Sequence, residues 1–159
     1  MRKFFLMSLL VSSIIAAIAS SSFAEDTYAK QINLGQDGSG MTWYLLDYGV
    51  KKDKPYAVAR KYYTSNLVKE ETIDILISRY SVSESKAAQL YFTEYKYEYT
   101  PDGKSYAETY RKYYDVRGNE IFKLVFSNKK GARKKHFVNV VKNTIQSKGA
   151  AYALGVLRK

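Results

Sequence analysis

"YEYTPDGKSYAETYRKYYDVRGNEIFKLVF", residues 97–126, is the stretch whose reading decides the fold. It carries two turn signals. "PDGK" (101–104) contains Asp102-Gly103, a pair that tolerates positive φ at both central positions of a type I′ hairpin turn. "DVRGNE" (115–120) suits a short loop with Gly118 in the left-handed conformation. The segments 91–100, 104–115 and 119–127 therefore read as an antiparallel meander. A two-residue first turn sets Tyr99 opposite Tyr106, Tyr97 opposite Glu108 and Tyr95 opposite Tyr110. Across the second turn, Asp115 opposite Asn119 sets Tyr110 against Leu124 and Lys112 against Phe122.

In that register Tyr95, Tyr97, Tyr99, Tyr106, Tyr110, Tyr114, Phe122, Leu124 and Phe126 share one face. The other face carries Glu94, Lys96, Glu98, Ala107, Thr109, Arg111 and Lys123, with Glu94 opposite Arg111 and Tyr113 turned to solvent. Glu108 and Lys112 fall on the apolar side without explanation. A shift of one residue would send these aromatics to opposite faces, so the self-consistent pattern is preferred. The tyrosines then read as core, each ring burying ~150–250 Å², rather than as a ligand platform.

Outward from the meander, "MTWYLLDY" (41–48) and "YAVARKYY" (56–63) read as two earlier strands. "GVKKDKP" (49–55) is a charged turn closed by Pro55. In "SNLVKEETIDILISRY" (65–80), Ile73, Leu76, Ile77 and Tyr80 stand at i, i+3, i+4 and i+7, one helical face, with Ser65 as a candidate N-cap. The alternation Ile73/Ile75/Ile77 keeps a strand reading open. Near the C-terminus, Phe137, Val141 and Ile145 recur every four residues, suggesting a second helix with Gly149 as a stop. "HFVNVV" (136–141) reads almost as well as a strand. The expected fold is α+β: an antiparallel sheet of about five to six strands with one or two helices packed on one face.

The first residues, "MRKFFLMSLLVSSIIAAIASSSFAED", join a basic stub to an apolar run and a small-residue exit at Ser22-Phe23-Ala24. That is the pattern of a secretory signal peptide over residues 1–24, and it falls short of the about 20 apolar residues of a membrane anchor. Cleavage after Ala24 would remove Arg2 and Lys3 and lower the net charge from +11 to +9. Residues 25–40, with "NLGQDGSG", read as a flexible lead-in. The chain has no cysteine, so neither a lipid anchor nor a disulfide framework is expected. The expected location is exported, in the periplasm or at the cell surface, without a transmembrane segment after cleavage.

So basic an exported chain suits anionic partners such as glycans rather than nucleic acid. Lys129, Lys130, Arg133, Lys134 and Lys135 put five cations around Gly131 and form the candidate polyanion patch. A solvated loop is the plainer alternative. No catalytic residues, cofactor or metal site are assigned. His136 is the only histidine and lies in the basic run, a poor place for a general base. Glu94 and Glu98 could imitate paired carboxylates, but Lys96 and Arg111 favour ordinary ion pairs. The chain reads as a binding protein and not as an enzyme.

"TEYKYEYTPDGKSYAETYRKYYDVRGNEI", preceded by "WYLL", "YAVARKYY" and the amphipathic segment, resembles the surface-adhesin protein E family of small exported bacterial proteins. The matching positions are Tyr97-Glu98-Tyr99, the turn at Pro101–Lys104, Tyr113-Tyr114-Asp115, Gly118 and Ile121, within about residues 41–127. Many relatives carry a cysteine after the Tyr-Glu-aromatic step, bonded to one near the C-terminus. Here Pro101 stands near that place and no cysteine follows. The resemblance implies an antiparallel sheet backed by helices, with 41–159 as a single adhesin E-like domain. It also implies a partner such as a host extracellular-matrix protein. The alternative is a periplasmic accessory protein packed against another envelope protein.

Overall fold

A computed structural model of the chain describes residues 31–155. The signal-peptide reading of residues 1–24 lies outside them. Six strands follow one another in space as in sequence: β1 (Ile32–Gln36), β2 (Thr42–Lys51), β3 (Lys54–Tyr62), β4 (Phe92–Tyr99), β5 (Ser105–Tyr114) and β6 (Glu120–Val125). A two-residue β7 (Val138–Asn139) adds to β5 beyond the end of β6. All pairings are antiparallel and the sheet curls into a half-barrel, so the protein is α+β as expected. The helices are α1 (Asn66–Tyr80), α2 (Glu84–Ala87) and α3 (Ile145–Ala153). Among the described residues no helix is long and apolar enough to cross a membrane.

The meander lies where the turn signals put it, but its internal register differs. Tyr99 faces Tyr106 and Tyr97 faces Glu108 as expected; then Thr109 stands unpaired as a bulge, and Tyr95 faces Arg111, not Tyr110. A second bulge at Ile121 sets Tyr110 against Val125 and Lys112 against Lys123. Each extra residue flips the remainder of its strand to the other face. Tyr95, Tyr97 and Tyr99 remain on the concave core face, as does Tyr106. Tyr110 and Tyr114, expected there, lie half-buried on the convex face, and Tyr113, expected in solvent, is 2% exposed in the core. Glu108 and Lys112 are thereby explained. Glu108 turns inward to pair with Arg111, and Lys112 turns outward toward Glu120 at 3.8 Å.

The turns also exchange roles. At the tip of β2–β3, Lys52 (φ 52°) and Asp53 (φ 59°) both take positive φ between the paired Lys51 and Lys54, the dihedral signature of a type I′ hairpin turn. At 101–104 only Gly103 has positive φ (69°). There the Asp102 carboxylate accepts from the Thr100 hydroxyl and the Lys104 N–H, closing a longer loop. Gly118 is left-handed as expected, at 80°, and the Asp115 carboxylate accepts the N–H groups of Arg117 and Asn119.

The core has two lobes on the concave face. In one, Leu76, Val82, Ala87, Leu90, Tyr113, Ile121 and Leu124 cluster beneath α1, with Ile73, Ile77 and Tyr80 packed against them. This settles 66–80 as a helix. It ends on Ser81 in the left-handed conformation, whose N–H and that of Val82 reach back to the carbonyls of Ile77 and Leu76. The other lobe joins Leu34, Trp43, Leu45, Ala57, Ala59, Tyr95, Tyr97 and Tyr99 to Ile145, Ala150 and Ala153 of α3.

Two expectations are corrected here. Part of the supposed flexible lead-in, Ile32–Gln36, is an edge strand that buries Leu34. No helix forms over 137–144; α3 starts at Ile145, behind a Thr144–Ser147 capping box. Gly149 is not its stop but lies inside it, where the helix meets the sheet. A Cβ there would stand 2.5 Å from the Tyr99 hydroxyl and 3.4 Å from the Ala57 Cβ. That hydroxyl donates to the Gln146 carbonyl at 3.1 Å.

Two outcomes follow from this packing. An alanine inside a helix normally gains ~1 kcal/mol over glycine. Gly149→Ala should instead destabilise by about 1–3 kcal/mol, because the 1%-exposed Tyr99 ring has no room to retreat. In a Tyr99→Phe background, where the clashing oxygen is gone, the same change should turn stabilising; denaturant titration of the four proteins reads the reversal. Tyr113→Ala should cost ~3–5 kcal/mol as a ring removed from a core. Its neighbour Tyr114→Ala, on the convex face, should cost only about 1–2 kcal/mol for a half-buried ring. A larger loss at Tyr114 would restore the unshifted register.

Candidate functional site

The basic run leaves the sheet after β6 as a loop closed on itself. Phe126 and Arg133 form a short parallel bridge, and the Ser127 N–H donates to the Arg133 carbonyl at 2.8 Å. Gly131, at φ 82°, makes the tip turn, with the Ala132 N–H on the Lys129 carbonyl. The bridge holds the loop's base together, while Lys129, Lys130, Arg133 and Lys134 stay exposed around it. Arg133 lies over the Tyr80 ring at 5.1 Å, its planar cation held against an aromatic face.

Lys135 separates from the other four. Its side chain folds back on the convex face of the sheet, 10% exposed, and its ammonium donates to the Glu98 carboxylate at 2.7 Å. Lys54, from the β2–β3 hairpin, approaches the same carboxylate oxygen at 3.4 Å. Partial burial alone would raise the Glu98 carboxyl, but Lys135 and then Lys54 outweigh it and hold the group below the ordinary carboxylate range. Glu98 is therefore a charged anchor, and Lys135 is a tether of the loop more than a displayed cation. The loop frames a hollow of about 460 Å³ lined by Asn128, Lys129, Lys134 and Lys135. The expected patch is thus brought together as four displayed cations and one anchored one. His136 is exposed beside it.

The carboxylates expected to pair with Lys96 and Arg111 choose other partners. Glu94, 5% exposed, lies 3.6 Å from Arg60 and accepts the Tyr110 hydroxyl at 2.8 Å. The Arg60 guanidinium also covers the Phe92 ring at 4.1 Å. Arg111, on the concave face, makes a forked pair with Glu108 at 2.9 and 2.8 Å and covers the Tyr95 ring at 5.0 Å. Nearby Lys61 is enclosed by the rings of Trp43, Tyr63 and Tyr95, and burial lowers its ammonium's pKa. These are groups that fix the two faces of the sheet. Among the described residues no three histidine, cysteine or carboxylate side chains come together as a metal site.

What the sequence reading did not weigh is the β2–β3 hairpin. Lys51, Lys52 and Lys54 read only as part of a charged turn closed by Pro55. The signal was the pairing of Pro55 with Val50, which sets the three lysines around one tip beside β4.

Geometrically the molecule is a tyrosine-rich antiparallel half-barrel, closed by helices on its concave side and carrying a cationic loop anchored to its convex side. Comparison of the chain with protein-family models, with curated proteins and with solved structures finds no match.

Proposed function

We propose that the chain is an exported bacterial binding protein of the periplasm or cell surface, adhesin-like, that contacts anionic glycan or host matrix components through the loop at residues 127–136. The observation that carries this reading is the division of labour within the basic run. Lys135 ties the loop to the sheet through Glu98, and Lys129, Lys130, Arg133 and Lys134 are left exposed without an acidic partner among the described residues. A loop whose charge served solubility alone would have no need of an anchored base. Each exposed ion pair contributes only ~0.2–1 kcal/mol, so useful affinity requires a ligand that meets several at once, which a polyanion does. The resemblance to surface-adhesin protein E and the signal-peptide pattern at residues 1–24 support the location.

A second reading keeps one observation of its own. Val125, Phe137, Val138 and Val141 are 45–65% exposed around the same loop. An apolar strip of this kind suits an accessory role against another envelope protein, where contact would strengthen rather than weaken with salt.

The two readings separate on a heparin column. The chain without residues 1–24 should be retained and should elute with salt, because screening shortens from ~10 Å at 0.1 M to ~3 Å at 1 M. Lys129→Gln, Lys130→Gln, Arg133→Gln and Lys134→Gln together should elute markedly earlier, with Lys135 kept so that the loop stays anchored. Identical elution of the two proteins, both folded, would overturn the glycan reading.

A further inference from the structure

A second hollow, about 270 Å³, opens on the convex face beside the β2–β3 hairpin, lined by Lys51, Lys52, Lys54, Tyr56, Lys96, Glu98 and Thr109. It adjoins the loop hollow through one ion pair: Glu98 lines the hairpin hollow and Lys135, bonded to it at 2.7 Å, lines the loop hollow. The two linings together hold seven lysines and a single carboxylate. These lysines come from the hairpin, β4 and the loop, segments remote in sequence that pairing brings to one side of the sheet.

The lysines also limit the kind of anion. An ammonium is a strongly hydrated point charge, suited to charges spaced along a chain, whereas planar forked recognition calls for arginine. The only ring of the hairpin hollow, Tyr56, is already covered by the Lys96 ammonium at 4.8 Å, and its hydroxyl donates to Asp47 at 3.0 Å. A base stacking on that face, as in single-stranded nucleic acid binding, would have to displace the Lys96 ammonium. We infer that a linear sulfated glycan lies along the convex face from the loop hollow, over the Lys135–Glu98 pair, into the hairpin hollow, so that two cationic clusters share one chain. This rests on the glycan reading above and extends it to Lys51, Lys52 and Lys96.

Titration with heparin fragments sorted by length tests it on the chain without residues 1–24. The hairpin variant is Lys51→Gln, Lys52→Gln and Lys96→Gln, which keeps much of each side chain's length. A control of equal charge loss, Arg79→Gln, Lys86→Gln and Arg117→Gln, lies outside both hollows. Thermal melting confirms that each folds; should the Lys96 change unsettle Tyr56, the Lys51/Lys52 pair alone serves. Affinity of the unaltered protein should rise with fragment length. The hairpin variant should lose about tenfold on long fragments, ~1.4 kcal/mol, and little on short ones, while the control keeps the length dependence. A hairpin variant that binds long fragments like the unaltered protein would overturn this inference and leave the loop reading standing. A control that loses as much as the hairpin variant would also overturn it, leaving general charge as the cause. Failure of the loop variant to weaken any fragment would remove the glycan reading itself.

Discussion

The rest of the structure depends on strands that are one residue too long for their neighbours. Unpaired residues interrupt the ladder at Leu34, Leu46, Thr109 and Ile121. A bulge bends its strand and tightens its twist, and a series of them across one sheet curls it. Three of the four extra residues are aliphatic and 3–7% exposed: Leu34, Leu46 and Ile121. Where a pleated strand would alternate one side chain out, Leu34 and Ile121 each add an apolar group to one of the two core clusters, while Leu46 is buried outside both. The curl and the core therefore have a common cause. The fourth, Thr109, is polar, and its hydroxyl donates to the Lys96 carbonyl while its own carbonyl accepts from Phe126. It keeps the backbone groups of an interrupted ladder satisfied, which a buried edge requires.

The curl leaves two aromatic faces with different chemistry. On the concave side the helices cover the rings, and α3 can approach because its contact positions are Gly149, Ala150 and Ala153. The phenol of Tyr97 accepts from the Gln146 side chain and that of Tyr99 donates to the Gln146 carbonyl, so both buried hydroxyls are used. On the convex side the sheet is covered largely by its own long side chains. Phe92 lies between Tyr62, Tyr114 and Arg60, with ring centroids at 5.6 and 4.8 Å. Glu94 lies beneath them, with Arg60 at 3.6 Å and the Tyr110 hydroxyl donating to it at 2.8 Å. A buried carboxylate with neither would be expensive, which makes the Tyr110 hydroxyl a structural group and not a displayed one.

Turn positions were the most legible part of the chain, though not turn types: Asp102-Gly103 reads as a type I′ pair, yet only Gly103 takes positive φ. Gly118 and the spacing of the meander could be read from residue types alone, and the helix at 66–80 from its period. The faces could not, because a bulge has no residue signature when its extra member is Thr109 or Ile121. Pattern alone saw nine residues that would make a clean apolar face, and preferred it. The structure divides those aromatics between two faces, each of them mixed with charge. The same limit applied to the candidate site. Lys129 to Lys135 stand together in sequence and were seen; Lys51, Lys52, Lys54 and Lys96 meet only after β3 pairs with both β2 and β4. The tyrosines contributed to the ambiguity, since a ring with a polar tip suits either side of a sheet.

Anchoring and display in the basic loop are connected by charge. Cations packed within one loop repel one another, and in a chain without cysteine no covalent bridge can hold such a loop down. The Phe126–Arg133 bridge fixes its base with backbone groups, which are indifferent to that repulsion. Lys135 fixes its end on Glu98, the one carboxylate on this side that two lysines share. Removing that carboxylate would do more than free a lysine. It would leave Lys54, Lys96 and Lys135 facing each other across the seam between two hollows, and the loop would be driven away from the sheet. Glu98, the single carboxylate in the linings of the two hollows, thus holds two of their seven lysines together.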